Sequence, residues 1–302
     1  MKAPTMLETI TSLLGTPACA IPLSFCKPAK GYLLERAGIP PTGTAILFPI
    51  PYVLGADAGD PRRNLSLYAV PRDYHGYVQD LSKFMLPALS ASFPAHRFAL
   101  FADHSPICEV DAAARAGLGV VGLNGLLITP AYGSFVFIGE VVTDAPYEAV
   151  AGVPCPDFPA LPPLCEGCGA CLRACPAGCA GTDGRALPDG RAPHSGCLSA
   201  LTQKKGALTE EEAETIRRGR LVWGCDACQL ACPHNRLVLS GKADTPIPYF
   251  REERLTRVDT ALLDSMTDEA FASRAYAWRG RAVIRRNAAL FEKEQEAERS
   301  TP

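Results

Sequence analysis

The sequence predicts an α/β (α+β) fold with three parts in chain order: a mixed domain at 1–150, a cysteine-rich metal-binding domain at 151–240, and a helical segment at 241–302. Two observations predict this order. Short apolar runs of strand length alternate with helical patterns in the first half, and most of the 13 cysteines lie between Cys165 and Cys232. An aperiodic Pro-rich stretch at 149–164 between these regions predicts a linker.

The expected elements follow from hydrophobic periodicity. Apolar runs predict strands at 44–49, 97–102 and 131–144, and apolar residues at three- and four-residue steps predict a helix at 73–90. An Ala-rich run at 106–116 predicts a second helix that ends before Gly117. Thr209 and Glu212 have the spacing of a capping box at the start of a short helix. Residues 251–290 predict amphipathic helix, with a charged tail from Glu292 that we expect to fray.

Composition restricts the class of protein. With 302 residues, of which 47% are hydrophobic and 21% charged, the chain can form two cores. A net charge of −2 lacks the basic excess of most nucleic-acid-binding proteins, so we expect no DNA partner. No uncharged apolar run is long enough to span a membrane, and the N-terminus lacks the apolar core of a secretory signal. We therefore expect a cytoplasmic protein.

The cysteines form two motifs. The first is Cys165-x2-Cys168-x2-Cys171-x3-Cys175-Pro, and the second is Cys225-x2-Cys228-x3-Cys232-Pro. The first motif has the spacing of bacterial ferredoxins, in which three loop cysteines hold one cubane and the fourth reaches its neighbour. Paired CxxC loops can also bind structural zinc, but three loop cysteines followed by Cys-Pro favour iron–sulfur clusters.

Counting thiolates predicts two [4Fe–4S] clusters. Two cubanes need eight thiolates, and the motifs supply seven. The candidates for the eighth are Cys197, Cys179 and Cys155, and we favour Cys197 because Cys179 follows Cys175 too closely. If the last cysteine of each motif binds the cluster of the other motif, two groups of ligands result. They are Cys165, Cys168, Cys171 and Cys232 for one cluster, and Cys175, Cys197, Cys225 and Cys228 for the other.

A GxGxxG pattern at Gly117, Gly119 and Gly122 does not predict a dinucleotide site. That motif requires a strand before it and a helix after it. Here an expected helix precedes the glycines and an apolar run of strand character follows them. We expect the glycines to allow close approach of a flat cofactor or a neighbouring strand.

Several segments together resemble the epoxyqueuosine reductase family. They are ArgAspTyrHis at 72–75, AlaAspHisSerPro at 102–106, AlaGlyLeuGly at 116–119, GlySerPheValPheIleGlyGluValValThrAsp at 133–144, GlyCysAspAlaCysGlnLeuAlaCysPro at 224–233 and ArgAsnAlaAla at 286–289. The resemblance extends over residues 40–290 in matching order. Two positions depart from the family pattern: Leu123 stands where the family usually has Lys, and His234 stands where it has Trp.

The resemblance implies a fold and cofactors. It implies a nitroreductase-like cobalamin-binding module, a ferredoxin-like module whose cluster ligands match the eight cysteines above, and C-terminal helices. It also implies reduction of epoxyqueuosine in tRNA to queuosine, with electrons from a low-potential donor of the ferredoxin or flavodoxin type. The matched segments imply that the residues around cobalamin are Ser105, Gly119, Gly122, Asn124, Gly133 and Ser134.

The resemblance also implies that Asp103 is the catalytic proton donor. From the residues alone, Asp103 could equally cap the following helix. His104 is a rival donor, but we can identify no partner in the sequence that would hold its tautomer. Two other functions remain open: a related corrinoid iron–sulfur enzyme that reduces a small molecule, and a two-cluster electron carrier. The 150-residue first domain argues against the carrier.

Overall fold

The computed structural model of the protein describes residues 3–178 and 197–300. Its strands are β1 (Cys19–Pro22), β2 (Thr44–Pro51), β3 (Phe98–Phe101), β4 (Val120–Val121), β5 (Leu127–Ile128) and β6 (Val136–Thr143). Its α-helices are α1 (Met6–Leu14), α2 (Tyr32–Ala37), α3 (Gly55–Ala58), α4 (Tyr74–Ser92), α5 (Glu109–Arg115), α6 (Tyr147–Ala151), α7 (Ala170–Ala174), α8 (Leu198–Thr202), α9 (Glu210–Gly219), α10 (Ala227–Leu230), α11 (Arg236–Leu239), α12 (Thr260–Ser265), α13 (Asp268–Ala272) and α14 (Arg281–Ser300).

The described residues form two compact units. The first unit holds residues 3–51 and 77–167, and the second holds 52–76, 168–178 and 197–300. The division of the chain into three consecutive domains stays a prediction. In the structure, residues 52–76 belong to the second unit, although they lie within the predicted first domain at 1–150. Backbone hydrogen bonds explain the difference: Val222 donates to the Asn64 carbonyl at 2.7 Å, and Ser66 donates to the Trp223 carbonyl at 2.8 Å. These bonds hold the segment in the second unit.

An antiparallel sheet forms the centre of the first unit. The strand order is β1-β2-β6-β3, with Phe48 opposite Gly139 and Phe98 opposite Thr143. All eight residues of β2 are buried, so both faces of the sheet are covered at this strand. On one face α5 contributes Ala112, Ala113 and Ala114 to a core that includes Leu47 and Val142. Small alanines allow the helix to approach the sheet closely.

The second unit has its own helical core. Trp223 and Tyr276 are fully buried in it, and their rings meet edge to face with centroids 6.3 Å apart. The Trp223 indole also donates a hydrogen bond to the Tyr68 hydroxyl at 2.6 Å. Among the described residues, no helix is long and apolar enough to cross a membrane.

The structure confirms the three predicted strands, the helices predicted at 73–90 and 106–116, and the capping box. The helical structure predicted for 251–290 is confirmed by α12, α13 and the first half of α14, but it is not one continuous helix. Helix caps interrupt it, because Asp259 and Thr267 accept hydrogen bonds from the amides of Leu262 and Ala270 and so start α12 and α13. The Glu292 carboxylate accepts a hydrogen bond from the Thr260 amide at 2.9 Å and α14 extends to Ser300, while the expected fraying of the tail stays a prediction.

Candidate functional site

A tight turn after β3 carries the predicted proton donor. Asp103 has a positive φ of 62°, and the amide of His104 donates to the Ala102 carbonyl at 2.6 Å across it. Such a conformation is strained for a residue other than glycine and is often found at functional sites. The Glu109 carboxylate supports the turn by accepting from the Asp103 amide at 3.2 Å. Asp103 lies two residues beyond the end of β3.

The turn presents two adjacent proton-carrying side chains. Asp103 and His104 are both exposed within the described part of the chain, whereas Ser105 is buried. Helix α5 begins only at Glu109, after Cys108, so Asp103 does not cap it. Its role as proton donor stays a prediction. Any enclosure of its carboxyl would have to come from cofactor and substrate.

His104 has the partners that sequence reasoning failed to identify, so that expectation is wrong. Its Nδ1 atom lies 2.9 Å from Lys30 Nζ, and its Nε2 atom lies 3.0 Å from Tyr32 Oη. Backbone pairing fixes the two loops that meet here, because the amide of Ala29 donates to the Pro106 carbonyl at 2.9 Å. Residues 72 and 74 positions apart in sequence are thereby joined, which no local pattern predicts.

Glu140 is a buried carboxyl that sequence reasoning missed. It lies on β6, is fully buried, and its Oε2 atom is 2.6 Å from Ser105 Oγ. The pKa of Glu140 is raised to about 8, chiefly by burial, against the opposing hydrogen bond from Ser105; the charge of Glu109 contributes to the rise. Its Oε1 atom has no hydrogen-bond partner within the described residues. The signal in the sequence was a single acid in the apolar run Val136–Thr143.

Hydrogen-bond geometry also indicates that Glu140 is neutral. Ser105 Oγ lies 2.9 Å from the Ile107 carbonyl and 2.6 Å from Glu140 Oε2, and it accepts from the Ile107 amide at 3.1 Å. A serine hydroxyl has one proton and can donate to only one of these two oxygens. All three contacts form if a protonated Glu140 donates to Ser105, which donates to Ile107.

We expect Glu140→Gln to change how stability depends on pH. The ordinary glutamate pKa is 4.5 and the folded value is about 8, so the folded wild type holds one proton more than the unfolded chain between these values. Its stability is therefore full below about pH 4.5 and is lost as pH rises towards about 8. Relative to Glu140→Gln, wild type should lose about 1.4 kcal/mol of unfolding free energy per pH unit in this window.

Urea denaturation of both proteins between about pH 5.5 and pH 7.5 measures this difference. Glu35→Gln, at an exposed position of α2, is the matched control and should track wild type. Parallel pH profiles for wild type and Glu140→Gln would show that Glu140 is ionised in the folded protein.

The glycines expected near cobalamin are needed by the β4–β5 hairpin itself. A Cβ atom on Gly119 would lie 2.2 Å from the Ile128 carbonyl oxygen, and one on Gly122 would lie 2.5 Å from Asn124 Oδ1. The order α5, glycines, β4 confirms that the GxGxxG pattern is not in the context of a dinucleotide site.

The other predicted cofactor contacts also lie in the first unit. Asn124 and Ser134 are buried, and Gly133, with a positive φ of 53°, pairs with Thr129 in a turn before β6. Their contact with cobalamin stays a prediction.

In the second unit the two cysteine motifs lie on packed helices. Cys171 lies within α7 and Cys228 within α10, and these two helices pack against each other. Cys175 ends α7, Cys197 precedes α8, and Cys232 leads into Pro233. No three His, Cys, Asp or Glu side chains in 3–178 and 197–300 are close enough to hold a single metal ion.

Two other predicted ligands lie near enough to Cys225 to affect its pKa. The pKa of the Cys225 thiol is raised to about 12, chiefly by burial, against the hydrogen bond from the Ala227 amide; the charges of Asp226, Cys228 and Cys197 contribute to the rise. Cys197 and Cys228 therefore lie within electrostatic range of Cys225. A bound cation, as iron supplies in a cluster, would favour the thiolate form of Cys225.

Asp226 fixes the second motif within its unit. Its buried carboxylate accepts hydrogen bonds from Arg63 Nη1 at 2.7 Å and from the Leu67 amide at 2.9 Å, and it also binds the Ser66 hydroxyl. Because Asp226 lies between Cys225 and Ala227, these contacts hold the start of the cysteine loop. Sequence reasoning did not single out this residue.

The remaining cysteine candidates differ in position. Cys165 is in the first unit, where its amide donates to the Val121 carbonyl at 2.9 Å, three residues before Cys168 in the chain. Cys155 lies in the first unit, and the pKa of its thiol is raised by burial and then by Glu148 and Asp157. Cys179 lies outside the described residues.

Two kinds of match to known proteins cover the cysteine-rich region and most of the chain. Residues 164–235 match the family described as 4Fe-4S double cluster binding domain. An epoxyqueuosine reductase from Listeria monocytogenes is 35% identical over 227 residues, which are 72% of this chain and 54% of that protein. The chain thus spans about half the length of the curated relatives that it matches. The match confirms the prediction of a double [4Fe–4S] region.

Solved structures show the same fold. The structure of epoxyqueuosine reductase from Streptococcus thermophilus has a TM-score of 0.70 and 22% identity, over 94% of this chain and 79% of that one. A second is an epoxyqueuosine reductase with a tRNA-Tyr epoxyqueuosine-modified tRNA stem loop, at a TM-score of 0.67 and 24% identity, over 94% of this chain and 79% of that one. These matches confirm the predicted mixed α/β class, while the finer module names stay predictions.

Proposed function

Because the chain is a member of the epoxyqueuosine reductase family, we propose that it is an oxidoreductase that converts epoxyqueuosine in tRNA to queuosine with two [4Fe–4S] clusters and cobalamin. One observation carries this proposal. A double-cluster region is joined in one chain to an α/β unit whose matched aspartate, Asp103, occupies a strained and exposed turn. An electron carrier has no need of the second feature.

Interactions among cysteines of the second unit support the proposed cluster ligands. Cys197, Cys225 and Cys228 interact electrostatically, as expected of three ligands of one cluster, and Cys175 would be the fourth. The other cluster would use Cys165, Cys168, Cys171 and Cys232. Since cluster assembly requires reduced thiols, the proposal includes a reducing compartment such as the cytoplasm.

Cobalamin binding has less direct support than the two clusters. The residues that would hold it are small or polar: Ser105, Gly119, Gly122, Asn124, Gly133 and Ser134. The polar side chains among them could hydrogen-bond to the amide arms of a corrin macrocycle, whereas the space beside Gly119 and Gly122 is filled by the β4–β5 hairpin itself. When bound, the cobalt supplies a nucleophile that can attack carbon.

Residues of the chain itself would protonate the epoxide oxygen. Reduction of an epoxide to an alkene consumes two electrons and two protons and releases water. The electrons would come singly through the clusters from a low-potential donor of the ferredoxin or flavodoxin type. Asp103 would give a proton to the oxygen as a carbon–oxygen bond breaks.

A second candidate substrate is a small molecule. The observation that favours it is the loss of a basic and an aromatic group at two family positions, Leu123 and His234, in a chain of net charge −2. Both groups could serve in binding nucleic acid. For tRNA, the support is the solved relative with a modified stem loop.

The test is an anaerobic assay of cobalamin-loaded protein with tRNA that contains epoxyqueuosine and a chemical low-potential reductant. Digestion and mass spectrometry of the nucleosides should show queuosine formed in proportion to protein. If free epoxyqueuosine nucleoside reacts as fast as the tRNA, the small-molecule function is favoured. If neither is reduced by protein that holds both clusters and cobalamin, the proposal is wrong.

A further inference from the structure

The contacts of His104 define its protonation pattern. The Lys30 ammonium can only donate hydrogen bonds, so at 2.9 Å the Nδ1 atom of His104 must accept from it. A neutral imidazole then carries its proton on Nε2 and donates it to the Tyr32 oxygen, 3.0 Å away. The three side chains form a directed chain of hydrogen bonds from Lys30 through His104 to Tyr32.

This chain ends in an unused donor. Tyr32 accepts from His104, so its own hydroxyl proton is not used within the triad. Within the described residues that proton meets no acceptor, and the side chain is 50% exposed. The Tyr32 ring stands edge-on to the imidazole, with centroids 6.4 Å apart at 73°. The hydroxyl is therefore positioned and available to donate to a bound molecule.

The proposed reaction has a requirement that Asp103 alone does not meet. Two carbon–oxygen bonds break and the oxygen leaves as water, so two protons must arrive in one turnover. A single carboxyl can deliver one proton before it must be recharged. The residue next to Asp103 in the turn belongs to the Lys30–His104–Tyr32 chain.

Building on the proposed function, we propose that Tyr32, supplied through His104 and Lys30, is the second proton donor. Asp103 protonates the oxygen when the first carbon–oxygen bond breaks, and Tyr32 protonates it when the second breaks and water leaves. As Tyr32 gives up its proton, its oxygen takes the Nε2 proton of His104, and Nδ1 takes a proton from Lys30. The net proton comes from Lys30, which is half-buried and can recover one from solvent.

The electrons balance in the same scheme. Two single electrons from the low-potential iron–sulfur donor reduce the epoxide, and neither Tyr32 nor His104 changes oxidation state. Tyr32 touches the substrate and is catalytic, whereas His104 and Lys30 act through it.

The first readout does not depend on turnover. The protein has five histidines, so ring ¹⁵N NMR of the full chain can identify His104 by loss of its signals in His104→Gln. We expect the neutral tautomer with the proton on Nε2 in wild type, and a changed tautomer balance in Lys30→Met. A proton on Nδ1 in wild type would overturn the proposed chain.

The second readout is kinetic. Tyr32→Phe should lower kcat with epoxyqueuosine tRNA by about 10- to 100-fold, at the lower end of general-acid effects because water can partly replace an exposed donor. KM and cluster content should stay unchanged. Tyr147→Phe, in the same unit, is the matched control and should react as wild type.

The outcomes separate this inference from the proposed function. Normal kcat in Tyr32→Phe, while wild type reduces the tRNA, overturns the donor role of Tyr32 and leaves the proposed function intact. A rise in KM without a fall in kcat would make Tyr32 a binding residue and overturn its donor role. Failure of wild type to reduce the tRNA overturns both.

Discussion

Asp103→Asn is expected to lose about 10²- to 10⁴-fold of wild-type turnover while it keeps both clusters and cobalamin. The amide cannot give up a proton to the substrate oxygen. The fold should survive, because Asn is among the residues that best tolerate a positive φ, here 62°. Anaerobic single-turnover kinetics measure the loss, and circular dichroism and the optical spectrum verify that the variant is folded and loaded.

Two variants make the Asp103 result interpretable. Asp80→Asn removes an exposed carboxylate of α4 that pairs with Lys83, and it should react as wild type. His104→Gln interrupts the proton chain to Tyr32 and should cost less than Asp103→Asn. Near-normal turnover in Asp103→Asn with collapse in His104→Gln would transfer the first donor role to His104.

Cys197→Ala is expected to lose one cluster and keep the other. Cys197 is the proposed ligand outside both compact motifs, and it lies within electrostatic range of Cys225. Removing one thiolate leaves three ligands for that cubane, so anaerobic protein should fall from about eight iron atoms to about four. Electron paramagnetic resonance of the reduced protein should show one cluster instead of an interacting pair.

Cys179→Ala and Cys155→Ala are the controls, since both cysteines were alternatives for the eighth ligand. Each should retain the full iron content. A loss of four iron atoms in Cys179→Ala, with Cys197→Ala unchanged, would exchange the two assignments.

Local signals were the part of the fold that the sequence predicted well. Apolar runs predicted β2, β3 and β6, and Thr209 with Glu212 predicted the start of α9, because each of these features depends on residues close in the chain. The pattern at 251–290 predicted helical structure, which α12, α13 and α14 confirm, but it did not predict where each helix begins. Amphipathic periodicity continued through Thr267, whose side chain instead caps α13.

Long-range contacts were beyond such reasoning. The partners of His104 come from residues 30 and 32, and those of Asp226 come from residues 63–67. Neither periodicity nor a sequence motif connects His104 or Asp226 with its partners. Glu140 was missed although an acid in an apolar strand is a visible signal, since burial on both faces of the sheet had first to be known. The cysteine motifs were found because metal ligation leaves fixed spacings in the chain.

Metal content is the measurement that decides whether this chain is a corrinoid protein with two [4Fe–4S] clusters. Protein purified anaerobically from cobalamin-supplemented cells should contain about eight iron, about eight sulfide and about one cobalt per chain. Its optical spectrum should show both chromophores. Zinc as the dominant metal, or full iron content with no cobalt after supplementation, would contradict the account.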